Sequence, residues 1–327
     1  MPSRTLRRLL TAFSLLLLVG CTVPDPAATA RLEKPDITIG VMPIPDVAGL
    51  YLAKRAGIFT REGFRSVQLE MVQGAALAIP VMLSGRMDAS IINYVTAVTS
   101  VAQKTADLRF LCDAYQATSK TFMVMVRPDS PIKSVADLKG KTIAVPTTHS
   151  IATLTTTEIL RVNGLKQDDV SWVEIPLPNM SAALRSGSID GAWMTEPFIS
   201  AAGIKDGAVA LADTAAGPTA DFPIAGWGTT ARWVQDNPRT AAALRRVLEE
   251  GQRLAADRKA VTNILPTYTA ISPADAQIIT LGTYPRSLRP ERVQRVPDLM
   301  QEMGYLPDPF DIAPLLLSSS TSSQETS

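Results

Sequence analysis

Two short segments of the same kind, Ser84-Gly85-Arg86-Met87-Asp88-Ala89 and Ser186-Gly187-Ser188-Ile189-Asp190-Gly191, each follow an amphipathic stretch and precede an apolar run. Upstream, Ile39-Gly40-Val41 and Ile143-Ala144-Val145 recur at nearly the same offset. Each is followed closely by Pro and by a helical stretch that ends at Gly57 or Gly164. This repetition in order and spacing predicts that the chain builds one kind of unit twice. In the second copy Met180, Ala183, Leu184 and Gly187 share one helical face, Asn179 is a candidate N-cap, and Gly187 can take the left-handed conformation that stops a helix. Asp88 and Asp190 fall in the turns that re-enter the sheet.

Around these anchors, the β-branched runs ITIGV, VQLEMV, ASIIN, KTIAV, VSWVEI and GAWMT alternate with helical patterns. Such alternation predicts an α/β protein built from parallel βαβ units. Pro80 leaves two options for the helix after Gly74, a start near Pro80 or a kink there, because an internal Pro removes a hydrogen bond and clashes with the preceding turn. Ala231 to Arg258 reads as helix on propensity, divided by Pro238 near its start.

At the amino end, Arg4, Arg7 and Arg8 precede an uncharged run from Leu9 to Gly20. About 12 residues is short of the ~20 that span a bilayer, so residues 1–20 are expected to be a secretory signal, of the general or the twin-arginine kind. Leu18-Val19-Gly20-Cys21 resembles a bacterial lipobox, which implies cleavage before Cys21 and lipid on its sulfur. Residues 21–35 then read as a Pro- and Ala-rich tether, and 317–327 as a polar, disordered tail. Removing residues 1–20 takes three of the 32 Lys and Arg, leaving 29 against 31 Asp and Glu, a balance that argues against a nucleic-acid partner. Lipidation of Cys21 would leave Cys112 without an intrachain partner, so stability must come from burial of the 46% hydrophobic residues. The length suggests two compact units. His149 is the chain's single His, outside any HExxH pattern or Cys cluster, so neither a metal site nor a cofactor is expected.

The duplicated turns, together with AKRAGIFTREGF, VADLKGKTIAVP and IDGAWMTEPF, resemble the nitrate, sulfonate and taurine class of ABC-importer binding proteins and the related thiamine-pyrimidine binders. The resemblance runs from about Ile37 to at least Trp227. It implies a two-lobed fold like that of type II periplasmic binding proteins, with chain crossings at 121–126 and 222–228. Lobe 1 would comprise 36–121 and 227–316, and lobe 2 would comprise 122–226. It also implies a monomer held at the cell membrane by its lipid, facing outside the cytoplasm and passing a small solute to a permease and an ATPase. The solute would be a sulfonate, taurine or a nitrate-like anion, or alternatively a thiamine-precursor pyrimidine or other heterocycle. An exported enzyme is poorly served, since the chain has no G-x-S-x-G elbow and no catalytic partner for His149. A ligand sensor on the same fold is a further alternative.

In open α/β sheets, ligands collect beyond the carboxyl ends of strands, where helix N-termini present unpaired N–H groups. That rule selects Pro43, Ile44, Pro45, Asp46, Gly74, Ala75, Asn93 and Tyr94 from the first lobe, and Thr147, Thr148, His149, Ser150, Asn179, Thr195 and Glu196 from the second. Asp46 is most simply an N-cap for a helix starting at Val47. The loop 147–150 could hold an oxyanion through hydroxyls and N–H groups, and Trp227 could offer a ring face at a lobe crossing. The lipobox resemblance carries a direct test. Cys21→Ala should abolish incorporation of labelled palmitate in a bacterial host, and persistent labelling would refute the anchor.

Overall fold

The computed structural model describes residues 31–317. The expected signal peptide, the Cys21 anchor and residues 318–327 of the expected tail lie outside these residues. No helix among the described residues is long and apolar enough to cross a membrane.

Ten strands form two sheets of five: β1 (Asp36–Val41), β2 (Ser66–Met71), β3 (Ala89–Asn93), β4 (Leu108–Gln116), β5 (Phe122–Val126), β6 (Thr142–Val145), β7 (Ser171–Glu174), β8 (Gly191–Thr195), β9 (Val209–Asp213) and β10 (Pro223–Thr230). The first sheet runs β2-β1-β3-β10-β4 and the second β7-β6-β8-β5-β9. In each, three parallel strands meet an antiparallel pair. The two sheets therefore share one strand pattern, as the sequence repeat requires. The chain passes from the first sheet to the second between Gln116 and Phe122, and back between Asp213 and Pro223. The stretch 122–126 is a strand of the second sheet, and β10 joins the first sheet from Pro223, ahead of Trp227.

The duplicated Asp has the same duty in both copies. Thr38 N donates to Asp88 Oδ2 at 2.9 Å, and Thr142 N donates to Asp190 Oδ2 at 2.9 Å. The main chain answers in both, with Asp88 N to Thr38 O at 2.8 Å and Asp190 N to Thr142 O at 2.9 Å. Each carboxylate thus extends the parallel ladder by one bond and fixes the third strand of its sheet against the first. Gly85 and Gly187, both at φ 75°, make the left-handed turn just before it. Asp88 is also approached by Lys34 Nζ at 2.5 Å and Trp233 Nε1 at 2.6 Å.

β10 is buried at all eight positions, flanked by β3 on one side and β4 on the other. Trp227 lies here, 1% exposed, paired with Ile91 on one side and Cys112 on the other. Close approach demands a small residue nearby, since a Cβ on Gly226 would stand 2.7 Å from Phe110 Cδ1. Cys112 is free and buried, and burial pushes its thiol well above the usual range. The main core continues through β5 and β8 into the second lobe, while Val126, Ile132, Leu138, Ile143, Leu160 and Val170 form a separate small cluster.

Several local expectations need adjustment. The helix after Gly74 begins at Ala75 and carries Pro80 within it. Asn179 does not cap its helix: the helix starts at Leu177, because Pro178 suits a first-turn position, and Asn179 is exposed within it. Pro238 does divide the long helical stretch, opening the Pro238–Ala255 helix after a short Ala231–Asp236 one. Residues 31–35 are fixed, not a free tether. Glu33 accepts from Thr240 N and Thr240 Oγ1 at 2.9 Å each, and Leu32 packs on the core.

Replacing either duplicated Asp by Ala leaves a strand N–H without its acceptor, a loss of about 1–3 kcal/mol. Asp190→Asn should recover much of this, because an amide oxygen can accept from Thr142 N. Asp88→Asn should recover less, since its amide N–H groups would face the Lys34 ammonium and the Trp233 N–H. Urea unfolding of the four variants checks this ordering.

Candidate functional site

The carboxyl ends of the parallel strands of both sheets face one another, and a cavity of about 60 Å³ lies between them. The repeat sets its walls. Side chains two apart on a strand share a face, and residues three and five beyond the duplicated Asp line the cavity in both copies: Ile91 and Asn93 on β3, Trp193 and Thr195 on β8. Met42 beyond β1 and Pro146 beyond β6 form a further matched pair. Phe122, at the start of β5, pairs with Thr195 and packs against Trp193 with ring centroids 4.7 Å apart. Trp193 Nε1 donates to Thr214 Oγ1 at 3.0 Å, which fixes the indole as a wall.

Helix starts meet this space from both lobes. Asn93 caps the Tyr94–Ala102 helix by accepting from Thr96 N at 2.9 Å. Ser150 caps the Ile151–Val162 helix and donates its hydroxyl to Thr147 O at 2.7 Å. Gly74 and Leu177 mark the starts of two more helices at the rim. Such ends carry a positive potential from unpaired N–H groups. The lobes touch here, for a Cβ on Gly74 would stand 3.0 Å from Thr147 Cγ2.

Of the residues selected from sequence, Ile44, Asp46, Gly74, Ala75, Asn93, Thr147, Ser150 and Thr195 border the cavity. The others do not. Tyr94 is fully buried in the first lobe, where its hydroxyl donates to Asp113 Oδ1 at 3.1 Å beside the Asp113–Arg292 ion pair. Thr148 turns away, its N–H and hydroxyl both donating to Glu174 Oε1. His149 is exposed, at φ 52°. Asn179 and Trp227 lie elsewhere, as described above. Glu196 is buried beside the site but is taken up by Ser200 N at 3.1 Å, Ser200 Oγ at 2.9 Å and Thr280 N at 3.3 Å. Burial pushes its carboxyl above the ordinary carboxylate range. Because Thr280 belongs to the C-terminal segment bridged to β4 at Gln116–Thr283, this carboxylate ties the two lobes together.

Asp46 differs from the expected cap. It sits in the short turn Pro45–Val47, makes no side-chain cap bond, and is 4% exposed. Its Oδ1 has no hydrogen-bond partner, and burial pushes the carboxyl up to about 7. Strand-end reasoning missed Phe122, which enters the site from the antiparallel strand β5. Only the pairing of Phe122 with Thr195 reveals it.

Comparison with known proteins agrees with this architecture. A profile of the NMT1-like family matches residues 30–265. The chain is 34% identical over 94 residues to an Escherichia coli (strain K12) protein named for aliphatic sulfonates binding, a match spanning 29% of either chain. It is 25% identical over 267 residues to the nitrate import ATP-binding protein NrtC of Synechocystis sp., covering 72% of this chain and 37% of that one. The matches therefore span well under half the length of these curated relatives. Among solved structures, the alkanesulfonate-binding protein SsuA from Xanthomonas axonopodis pv. citri, bound to MOPS, superposes with a TM-score of 0.72 at 20% identity, covering 86% of this chain and 98% of that chain. With a profile match over most of its length and a two-lobed α/β fold to go with it, the chain belongs to the NMT1-like family.

Proposed function

We propose that the chain is the extracytoplasmic solute-capturing component of an ABC importer, closing two lobes on one small solute. The observation that carries this reading is the cavity wall. Matched positions of the two repeats supply it, so neither lobe holds a complete site alone. The relatives' names point to sulfonates and nitrate as solute classes and to an ATP-binding partner; taurine and a permease belong to the same reading as a further solute and partner. The ring faces of Phe122 and Trp193 favour a second reading, in which the solute is a heterocycle such as a thiamine-precursor pyrimidine. Cys21 would hold the chain to the membrane by lipid.

The lining supports capture. Ser150 spends its hydroxyl proton on Thr147 O, and the single His is exposed beyond the cavity, so neither supplies a Ser–His pair.

Capture by closure has two expected signs. A bound solute raises apparent stability, so thermal-shift screening against sulfonates, nitrate, thiamine precursors, flavins and small carboxylates should yield at least one positive. The positive should also shrink the radius of gyration in small-angle scattering, and an unchanged radius would count against closure. Gly74→Val should weaken that solute about tenfold or more by propping the lobes apart at Thr147. Thr147→Ser removes the opposing methyl and should restore part of the loss, a coupling that a double-mutant cycle reads directly.

A further inference from the structure

The described part of the chain buries five acidic side chains, and four are engaged. Asp88 meets Lys34, Trp233 and Thr38; Asp113 pairs with Arg292; Glu158 pairs with Arg161; and Glu196 accepts from Ser200 and Thr280. Asp46 alone borders the cavity, and its Oδ1 meets no donor. Burying a carboxylate oxygen without a donor is costly, and an unpartnered Oδ1 at a cavity wall suits a donor brought from outside the chain.

The carboxylate has the Asp46 backbone N–H as a donor, and the neighbouring side chains direct their described hydrogen bonds elsewhere. Tyr268 donates its hydroxyl to Ile44 O at 3.2 Å, and Tyr284 donates to Pro45 O at 2.9 Å. Both therefore hold the loop that carries Asp46, and neither serves its carboxylate. Tyr115, also nearby, accepts from Gly282 N. No Lys or Arg lines the cavity. Arg258, the cation felt by Tyr115 and Tyr284, is committed to Gln277 O and Ile279 O. No group of three or more His, Cys, Asp or Glu suited to a metal stands among the described residues, so a metal cage does not account for Asp46. The same lining includes hydrocarbon and ring faces: Ile44, Leu177, Phe122 and Trp193.

Resting on the capture reading above, we propose that the solute carries a protonated amine whose N–H donates to Asp46, with an apolar or ring-bearing body against Phe122 and Trp193. A bare oxyanion lacks the donor. If the amine-bearing solute also has an anionic end, the helix starts at Asn93 and Ser150 face it.

The pH dependence separates the two kinds of solute by sign. The empty site holds Asp46 protonated below about 7, so an amine should bind more tightly as pH rises from 5.5 to 8.5, and a bare oxyanion more weakly. The tyrosine hydroxyls of Tyr115, Tyr268 and Tyr284 are pushed above their usual range and stay neutral across that window. Glu196 is the other carboxyl in this neighbourhood, and its bonds to Ser200 and Thr280 hold it apart from the cavity lining.

Calorimetry on the mature chain with two matched pairs tests the proposal: taurine against ethanesulfonate, and benzylamine against benzyl alcohol. Within at least one pair the amine should bind tenfold or more tightly, and Asp46→Asn should reduce that preference to about onefold. The empty Asp46→Asn protein should also gain thermal stability over the wild type, more at pH 8 than at pH 5.5, because the folded-state carboxyl titrates above its unfolded value and its ionisation is the destabilising step. Should that variant fail to fold, the pH series on the wild type decides alone. Ethanesulfonate, benzyl alcohol or nitrate binding as tightly as the amines would overturn the amine contact while leaving capture intact. Binding of none of these probes would overturn the amine contact and count against the capture reading as well.

Discussion

A carboxylate accepting one strand N–H, used twice, sets up everything else in this molecule. Asp88 against Thr38 and Asp190 against Thr142 fix where the third parallel strand of each sheet enters beside the first. A slip of one residue would turn every side chain of that strand to the opposite face. Ile91 and Asn93, or Trp193 and Thr195, would then leave the cavity for the other face of their sheets. The site's composition is therefore decided about 10 Å away from it, by a turn that no solute touches, on the usual rise of a little over 3 Å per residue along a strand.

The two carboxylates are not equally placed. Asp88 is buried with Lys34 and Trp233 around it, whereas Asp190 has only the main-chain partner among its described hydrogen bonds. The pairing with Lys34 draws residues 31–35 onto the first lobe, so the segment just after the expected anchor is bound to the fold. Lys34 is 40% exposed, and an ion pair so open to water adds little by Coulomb attraction alone. Its value lies in fixing the path of the chain.

Much of the fold was legible because the repeat combines local rules with long-range ones. Helix-stopping glycines, the Asp turn and strand-like runs recur in the same order, and both sheets show the same arrangement. The site was only half legible. Rules about strand ends select a position but not a direction, and direction separates Thr147 and Ser150, which face the cavity, from Thr148 and His149, which do not. Tyr94 illustrates the same limit: it follows Asn93 directly, yet its side chain points into the core toward Asp113. Strand-end reasoning selects Thr195, and counting back two residues along β8 adds Trp193 on the same face. Phe122 needed knowledge of antiparallel pairing that no local pattern carries. Glu196 looked like a ligand group from its place after β8, but Ser200 and Thr280 claim it.

The contact between Gly74 and the Thr147 methyl bears on how such a cleft chooses what it holds. Main chain on one side and a short branched side chain on the other form a hard stop. Where two surfaces meet at a rigid stop, the gap between them is a property of the protein, and the occupant must conform to it. On the capture reading proposed above, the cleft would act as a caliper set to one opening: undersized molecules would rattle and gain little contact, oversized ones would hold the jaws apart, and selectivity by bulk would come from the backbone before any polar group is consulted.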